Sequence, residues 1–173
     1  MERIVVLGGG ESGCGSAVLA RVKGFDVFLS DRGSIAPKYK SLLEQWNIPY
    51  EEETHTEEKI LSADRIVKSP GIPDKAPMVQ AAVKRGIPII SEIEFAGRHS
   101  SAKMCCITGS NGKTVTKEWI AQLCPPGVKL FRSPKSYNSQ IGVPLSLLMI
   151  AGDEQIAVIE TGISEKGEME RLE

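Results

Sequence analysis

The sequence predicts an α/β protein with parallel sheets. Three observations carry that prediction. Apolar, β-branched runs of strand length alternate with helix-length segments. Two glycine-rich loops each follow a strand and open a helix. One polar, turn-rich stretch, Gly97-Arg98-His99-Ser100-Ser101, interrupts the alternation, which then starts again.

The elements follow in order. Ile4 to Leu7 is a strand that runs into glycines, and Gly13 to Lys23 is a helix holding Ala17, Val18 and Leu19. Val27 to Leu29 is a strand ending in Ser30-Asp31. Tyr39 to Trp46 is an amphipathic helix with Leu42, Leu43 and Trp46 on one face. Arg65 to Val67 is a strand leading into Lys68-Ser69-Pro70-Gly71, Met78 to Lys84 is a helix, and Ile87 to Ile90 is a buried strand. Beyond the polar stretch come a strand at Met104 to Ile107 and a helix from about Lys113 to Leu123, stopped by Cys124-Pro125-Pro126-Gly127. Val128 to Phe131 is a strand, Pro144 to Ile150 a helix, and Ile156 to Ile159 a strand ending in Glu160; Glu165 to Glu173 is charged and reads as helical. The expected division is a Rossmann-like domain over residues 1–97 and a second, P-loop ATPase-like α/β unit over residues 98–173. The second unit has three evident strands, fewer than a complete nucleoside-triphosphate fold. The chain is therefore expected to be the front part of a longer protein.

Composition sets the outer limits. The 173 residues are 41% apolar and 25% charged, an ordinary globular balance. A net charge of −1 offers no field to draw nucleic acid or an anionic membrane, so neither is an expected partner. No apolar run is as long as the ~18 residues a membrane-spanning helix needs. The start, MERIVVLGGG, reads as a strand entering a loop and not as a signal peptide, so a cytoplasmic location is expected. Cys14, Cys105, Cys106 and Cys124 form no C-x-x-C, and His55 and His99 lie far from any cysteine pair, so no zinc site is expected. The cysteines read as small buried hydrophobes in a reducing compartment.

The first loop, Gly8-Gly9-Gly10-Glu11-Ser12-Gly13, fits G-x-G-x-x-G. Glycines let the backbone approach a diphosphate, and the helix N-terminus supplies free N–H groups and positive partial charge. Asp31 ends the next strand, where an acid takes ribose hydroxyls in a dinucleotide site. The motif alone favours an NAD-type dinucleotide. Another diphosphate, such as a nucleotide-sugar, and a turn that only packs helix on sheet both stay open. Ser69-Pro70-Gly71-Ile72 ends a later strand, either at the ligand edge of the sheet or as a plain proline turn.

The second loop, Gly109-Ser110-Asn111-Gly112-Lys113-Thr114, is a shortened phosphate loop: Ile107 stands where the usual G-x-x-x-x-G-K-[ST] has its first glycine. Its backbone N–H groups suit phosphate oxygens, Lys113 suits the terminal phosphates, and the Thr114 hydroxyl suits Mg²⁺. Glu160, ending another strand, can reach the same metal or can be a solvated strand-end acid.

The loop Thr108-Gly109-Ser110-Asn111-Gly112-Lys113-Thr114 resembles that of the ATP-dependent Mur ligases. Residues 1–116 resemble the members that add D-glutamate to UDP-N-acetylmuramoyl-L-alanine, through the glycine loop, Asp31-Arg32, Ser69-Pro70-Gly71-Ile72, Ser91-Glu92-Ile93-Glu94 and the phosphate loop. Residues 104–173 resemble the members that add D-alanyl-D-alanine to UDP-N-acetylmuramoyl-tripeptide, in the form fused to alanine racemase. That likeness rests on Arg132 through Pro144 and on Glu160-Thr161-Gly162-Ile163-Ser164. The chain thus reads as a mosaic of two relatives.

The resemblance implies a uridine-diphosphate ligand, not NAD, in the first domain, with Gly10, Glu11, Ser12, Asp31, Arg32 and Gly71 lining its site. It implies ATP and Mg²⁺ in the second, with Gly109 to Thr114 around the phosphates, Thr114 and Glu160 on the metal, and Lys113 and Asn138 in the chemistry. That chemistry phosphorylates a carboxylate to an acyl phosphate, which an amine then attacks. The family's D-glutamate site and closing domain fall beyond residue 173, so the chain alone is expected to bind and not to ligate. A nucleotide-binding module without catalysis is the reading from another class, and an NAD oxidoreductase is the weakest.

Overall fold

The computed structural model describes residues 1–107, 111–135, 137–138 and 142–162. They form two compact units, divided between Phe95 and Ala96.

In the first unit the elements are β1 (Arg3–Leu7), α1 (Glu11–Val22), β2 (Asp26–Ser30), α2 (Pro37–Gln45), β3 (Tyr50–Glu51), α3 (Glu57–Ile60), β4 (Arg65–Lys68), α4 (Pro77–Lys84) and β5 (Ile89–Ser91), and α5 (Glu92–Arg98) begins in it and runs across the division. The five strands are parallel, in the order β3-β2-β1-β4-β5. This is a Rossmann-like sheet, with its switch of direction beside β1. The continuous run Ile4-Val5-Val6-Leu7 explains why both faces are covered. Alternate residues of a strand point to opposite sides. Ile4 and Val6 enter one core with Cys14, Ala17, Leu43 and Phe95, while Val5 and Leu7 enter another with Ile60, Val79 and Ala82.

Local chemistry sets the element ends. α2 and α4 each begin with a proline at the first turn, where its missing N–H costs nothing. That places the start of α2 at Pro37, ahead of the expected Tyr39. Ser91 caps α5: its hydroxyl accepts the Glu94 N–H at 3.0 Å, half of a capping box. Three elements were not anticipated: β3, α3 and α5. β3 has two residues and α3 four, too short for any periodicity to register.

The second unit holds β6 (Lys103–Ile107), α6 (Lys113–Leu123), β7 (Leu130–Arg132), α7 (Gly142–Leu148) and β8 (Ile156–Glu160). Its described strands form a parallel sheet in the order β6-β8-β7. Central β8 carries the core, with Ala157, Val158 and Ile159 fully buried. Cys105 and Cys106 correct the sequence reading: both are exposed. They lie on β6, an edge strand that pairs only with β8 among the described residues. Cys14, in contrast, is buried on α1 itself, and burial pushes its thiol up to about 12, helped by the charges of Asp31 and Glu92. The expected terminal helix from Glu165 lies outside the described residues.

Candidate functional site

Register brings the first unit's loops to one edge. Leu7 pairs with Ser30 on one side and with Lys68 on the other. The loops after β1, β2 and β4 therefore leave the sheet level with each other, where α/β sheets take ligands. They enclose a cleft of about 710 Å³. Gly10, Asp31, Arg32 and Gly71, all expected at a ligand site, line it. Glu11 is exposed on the first turn of α1, and Ser12 is buried, facing away from solvent. Neither belongs to the cleft lining.

The glycine loop is built by close approach. A Cβ on Gly13 would stand 2.0 Å from the Gly8 carbonyl oxygen, so no other residue fits there without moving the backbone. Asp31 holds the loop from the side: its carboxylate accepts the Gly9 N–H, and it accepts the Gly33 N–H at 2.6 Å. Part of the acceptor capacity that the sequence assigns to ribose thus goes to the chain's own backbone.

Two features of this unit were missed by sequence reasoning. Glu53, Thr54 and His55, which follow β3, line the cleft. Glu92, at the start of α5, is fully buried, and neither carboxyl oxygen meets a partner in hydrogen-bond geometry. Burial pushes its carboxyl up to about 7, with the Ser12 hydroxyl and the Lys68 charge offsetting only part of that.

In the second unit, Ile107 pairs with Glu160, so the phosphate loop leaves β6 beside the end of β8. Gly109 and Ser110 lie outside the described residues. Gly112 has φ +79° and ends the loop in the left-handed region, which glycine adopts without strain. Lys113 and Thr114 then open α6. Glu160 collects three side chains. The Thr114 hydroxyl lies 3.0 Å from each carboxylate oxygen, Asn138 Nδ2 donates at 3.0 Å, and Lys117 Nζ sits at 3.4 Å. The Glu160 N–H donates to Ser133 Oγ at 3.0 Å. Thr114 and Glu160, expected from the resemblance to share a metal, lie together, and Asn138, expected in the chemistry, joins them at the Glu160 carboxylate.

Lys117 was not expected. It is 0% exposed, and it donates to the carbonyls of Ser133, at 2.9 Å, and Lys135. A lysine on an amphipathic helix ordinarily reads as solvated. Its spacing from Thr114 (i, i+3) was the available signal that both share one helix face.

Two family models match the chain. Residues 2–91 match the model of the Mur ligase MurD-like N-terminal domain, and residues 107–173 that of the Mur ligase middle domain. A UDP-N-acetylmuramoylalanine–D-glutamate ligase of Bacteroides fragilis is 64% identical over 120 residues, 69% of this chain and 27% of that protein. One of Chlorobium chlorochromatii is 41% identical over 162 residues, 92% of this chain and 34% of its own length. This chain therefore spans about a quarter to a third of those relatives. The second alignment reaches into residues 104–173, and the likeness of that segment to D-alanyl-D-alanine-adding members finds no support among these relatives. A murein peptide ligase from Psychrobacter arcticus shares the fold, with a TM-score of 0.60 at 20% identity over 92% of this chain and 37% of its own. Because the model of the first domain alone covers more than half of the residues, and that of the second follows it in order, the chain belongs to the Mur ligase family.

Proposed function

We propose that the chain is the substrate- and ATP-binding front of a ligase that adds D-glutamate to UDP-N-acetylmuramoyl-L-alanine. The observation that carries this reading is the convergence of Thr114 and Asn138 on Glu160 at the mouth of the phosphate loop. It is supported by the cleft over the glycine loop, which suits a diphosphate at the N-terminus of α1.

The residues fit Mg²⁺. Thr114 and Glu160 offer hard oxygens 3.0 Å apart. Among the described residues no cluster of three His, Cys, Asp or Glu could hold a metal. Mg²⁺ needs none, since it is held by one or two carboxylates plus substrate phosphates and water. Bound with ATP, it would neutralise phosphate charge while a substrate carboxylate is phosphorylated. Lys113 would hold the terminal phosphates, Thr114 and Glu160 the metal, and Asn138 would orient Glu160. Gly10, Asp31, Arg32 and Gly71 would line the uridine-nucleotide end of the substrate. Among the described residues no helix is long and apolar enough to cross a membrane.

Calorimetric titration of the purified chain tests this. UDP-N-acetylmuramoyl-L-alanine is expected to bind and NADH is not; the reverse result sinks the ligase reading. Lys113→Ala is expected to weaken Mg-ATP at least about tenfold, the size of one charge-assisted contact. Full ATP affinity in that variant would remove the phosphate-loop assignment. With D-glutamate present, the chain is expected to release no phosphate, since it spans only about a quarter to a third of the length of the ligases it resembles.

A further inference from the structure

The cleft contains a polar relay that the ligand contacts above do not use. Ser30, fully buried at the end of β2, lies 2.9 Å from Glu51 Oε1, 3.5 Å from the Thr54 carbonyl and 2.7 Å from His55 Nδ1. A hydroxyl has one proton to give. Glu51 is also bound by the Thr56 N–H and hydroxyl, each at 2.7 Å, and by Lys59. Burial alone would raise the Glu51 carboxyl, but these hydrogen bonds outweigh it and hold it below the usual carboxylate range. Glu51 is thus ionised near neutral pH and can only accept, as can the Thr54 carbonyl. The Ser30 proton must point at one of these two acceptors. If it pointed at His55 instead, Ser30 Oγ and Glu51 Oε1 would face each other as bare acceptors at 2.9 Å. The remaining assignment has His55 donating from Nδ1 to Ser30 Oγ. Burial, opposed by the charges of Asp31 and Glu51, holds the imidazole below its ordinary range. It is then neutral near pH 7, and its other nitrogen, Nε2, carries a lone pair and no proton.

His55 lines the cleft on its β2–β3 side, beside Asp31 and Arg32. In this sheet order the phosphates lie over the β1 loop and the nucleoside lies toward the end of β2. We infer that His55 is a specificity-determining residue of this cleft, accepting at Nε2 the imide N3–H of a uracil base. Uracil has that N–H as its one ring donor besides the glycosidic position. Cytosine has a bare nitrogen there, so the same imidazole faces it with two lone pairs. Ser30 and Glu51 are positioning residues that fix the tautomer. This inference rests on the uridine-nucleotide reading proposed above and adds the group that reads the base.

The test is titration of the whole chain with UDP, 3-methyl-UDP, CDP and 2′-deoxy-UDP. The wild-type chain is expected to bind UDP about tenfold more tightly than 3-methyl-UDP or CDP, the cost of one neutral hydrogen bond left unmade. His55→Ala is expected to bind all three within about twofold of each other. His55→Gln, which can offer a carbonyl oxygen, is expected to recover part of the preference. ¹⁵N-resolved NMR should show His55 protonated at Nδ1 in the wild type and a mixed tautomer in Ser30→Ala. UDP binding with undiminished base preference in His55→Ala overturns the inference alone. A His55-dependent loss confined to 2′-deoxy-UDP also overturns it, since the partner would be a ribose hydroxyl. Absence of UDP binding to the wild type removes the nucleotide reading and this inference with it.

Discussion

Glu160→Gln is expected to destabilise the second unit by roughly 3–5 kcal/mol, the cost of stranding a buried charge. Lys117 and Glu160 are 0% and 1% exposed, with 3.4 Å between Nζ and Oε2. Glutamine keeps the volume and can still meet Thr114 and Asn138. What it cannot do is neutralise Lys117, whose other partners are two carbonyls with only partial charge and the Glu118 carboxylate at 3.8 Å, which is partly solvent-exposed and also paired with Arg132. Lys117→Met is expected to cost less. Glu160 would then retain donors from Thr114 and Asn138, and methionine fills the stem's space. The double variant is expected to recover most of the loss, because replacing a buried pair is far cheaper than breaking one. Urea unfolding followed by Trp119 of α6, in a Trp46→Phe background that silences the first unit, measures each term. A Glu160→Gln chain within about 0.5 kcal/mol of the parent, the range of ordinary surface substitutions, would mean that the pair is solvated and the ammonium uncoupled from the carboxylate. The pair also bears on function. Lys117 holds Glu160 and, through the carbonyls of Ser133 and Lys135, the loop that carries Asn138.

How much of this could be read from the chain depends on where each determinant lies. β1 was legible because Ile4-Val5-Val6-Leu7 has no polar face, which is what a strand buried on both sides requires. The glycine loop and Thr114 were legible because their chemistry is local and fixed in spacing. His55 was not. Its place in the cleft depends on β3, two residues that pair Leu29 with Tyr50 and Ser30 with Glu51. Such a register is a long-range fact with no periodic trace. Lys117 was hidden for a related reason: the carbonyls that satisfy it come from residues 133 and 135, across a strand and a loop. Cys105 and Cys106 misled in the opposite direction. An apolar run predicts a strand, but burial follows from the strand's place in the sheet, and β6 is at an edge among the described strands.

Glu92 leads to the other large expected effect, which depends on pH. Its carboxyl is pushed up to about 7 in the folded chain, chiefly by burial, whereas an unfolded glutamate titrates near 4.3–4.5. Below the lower value the group is protonated in both states and costs nothing. Between the two values the unfolded chain releases the proton first, so it binds fewer protons than the folded chain and stability falls as pH rises. Above about 7 both states are ionised and the full penalty applies, on the order of 3 kcal/mol from the size of the shift. Glu92→Gln removes the titration. Relative to the parent, it is expected to gain about that amount between pH 5 and pH 8, read by denaturant unfolding of the first unit through Trp46. Parallel stability curves over that range would show that the carboxyl keeps its proton or is hydrated. The position of Glu92 gives this titration a functional side. Oε1 lies 3.4 Å from where a Cβ on Gly13 would stand, directly beneath the glycine loop, and the positive charge of Lys68 offsets only part of the burial penalty. A charge appearing there opposes a diphosphate above it in a poorly screening interior. UDP affinity of the parent chain is therefore expected to fall across pH 6 to 8, while that of Glu92→Gln stays level. A fall of equal size in both would assign the pH dependence to other groups lining the cleft.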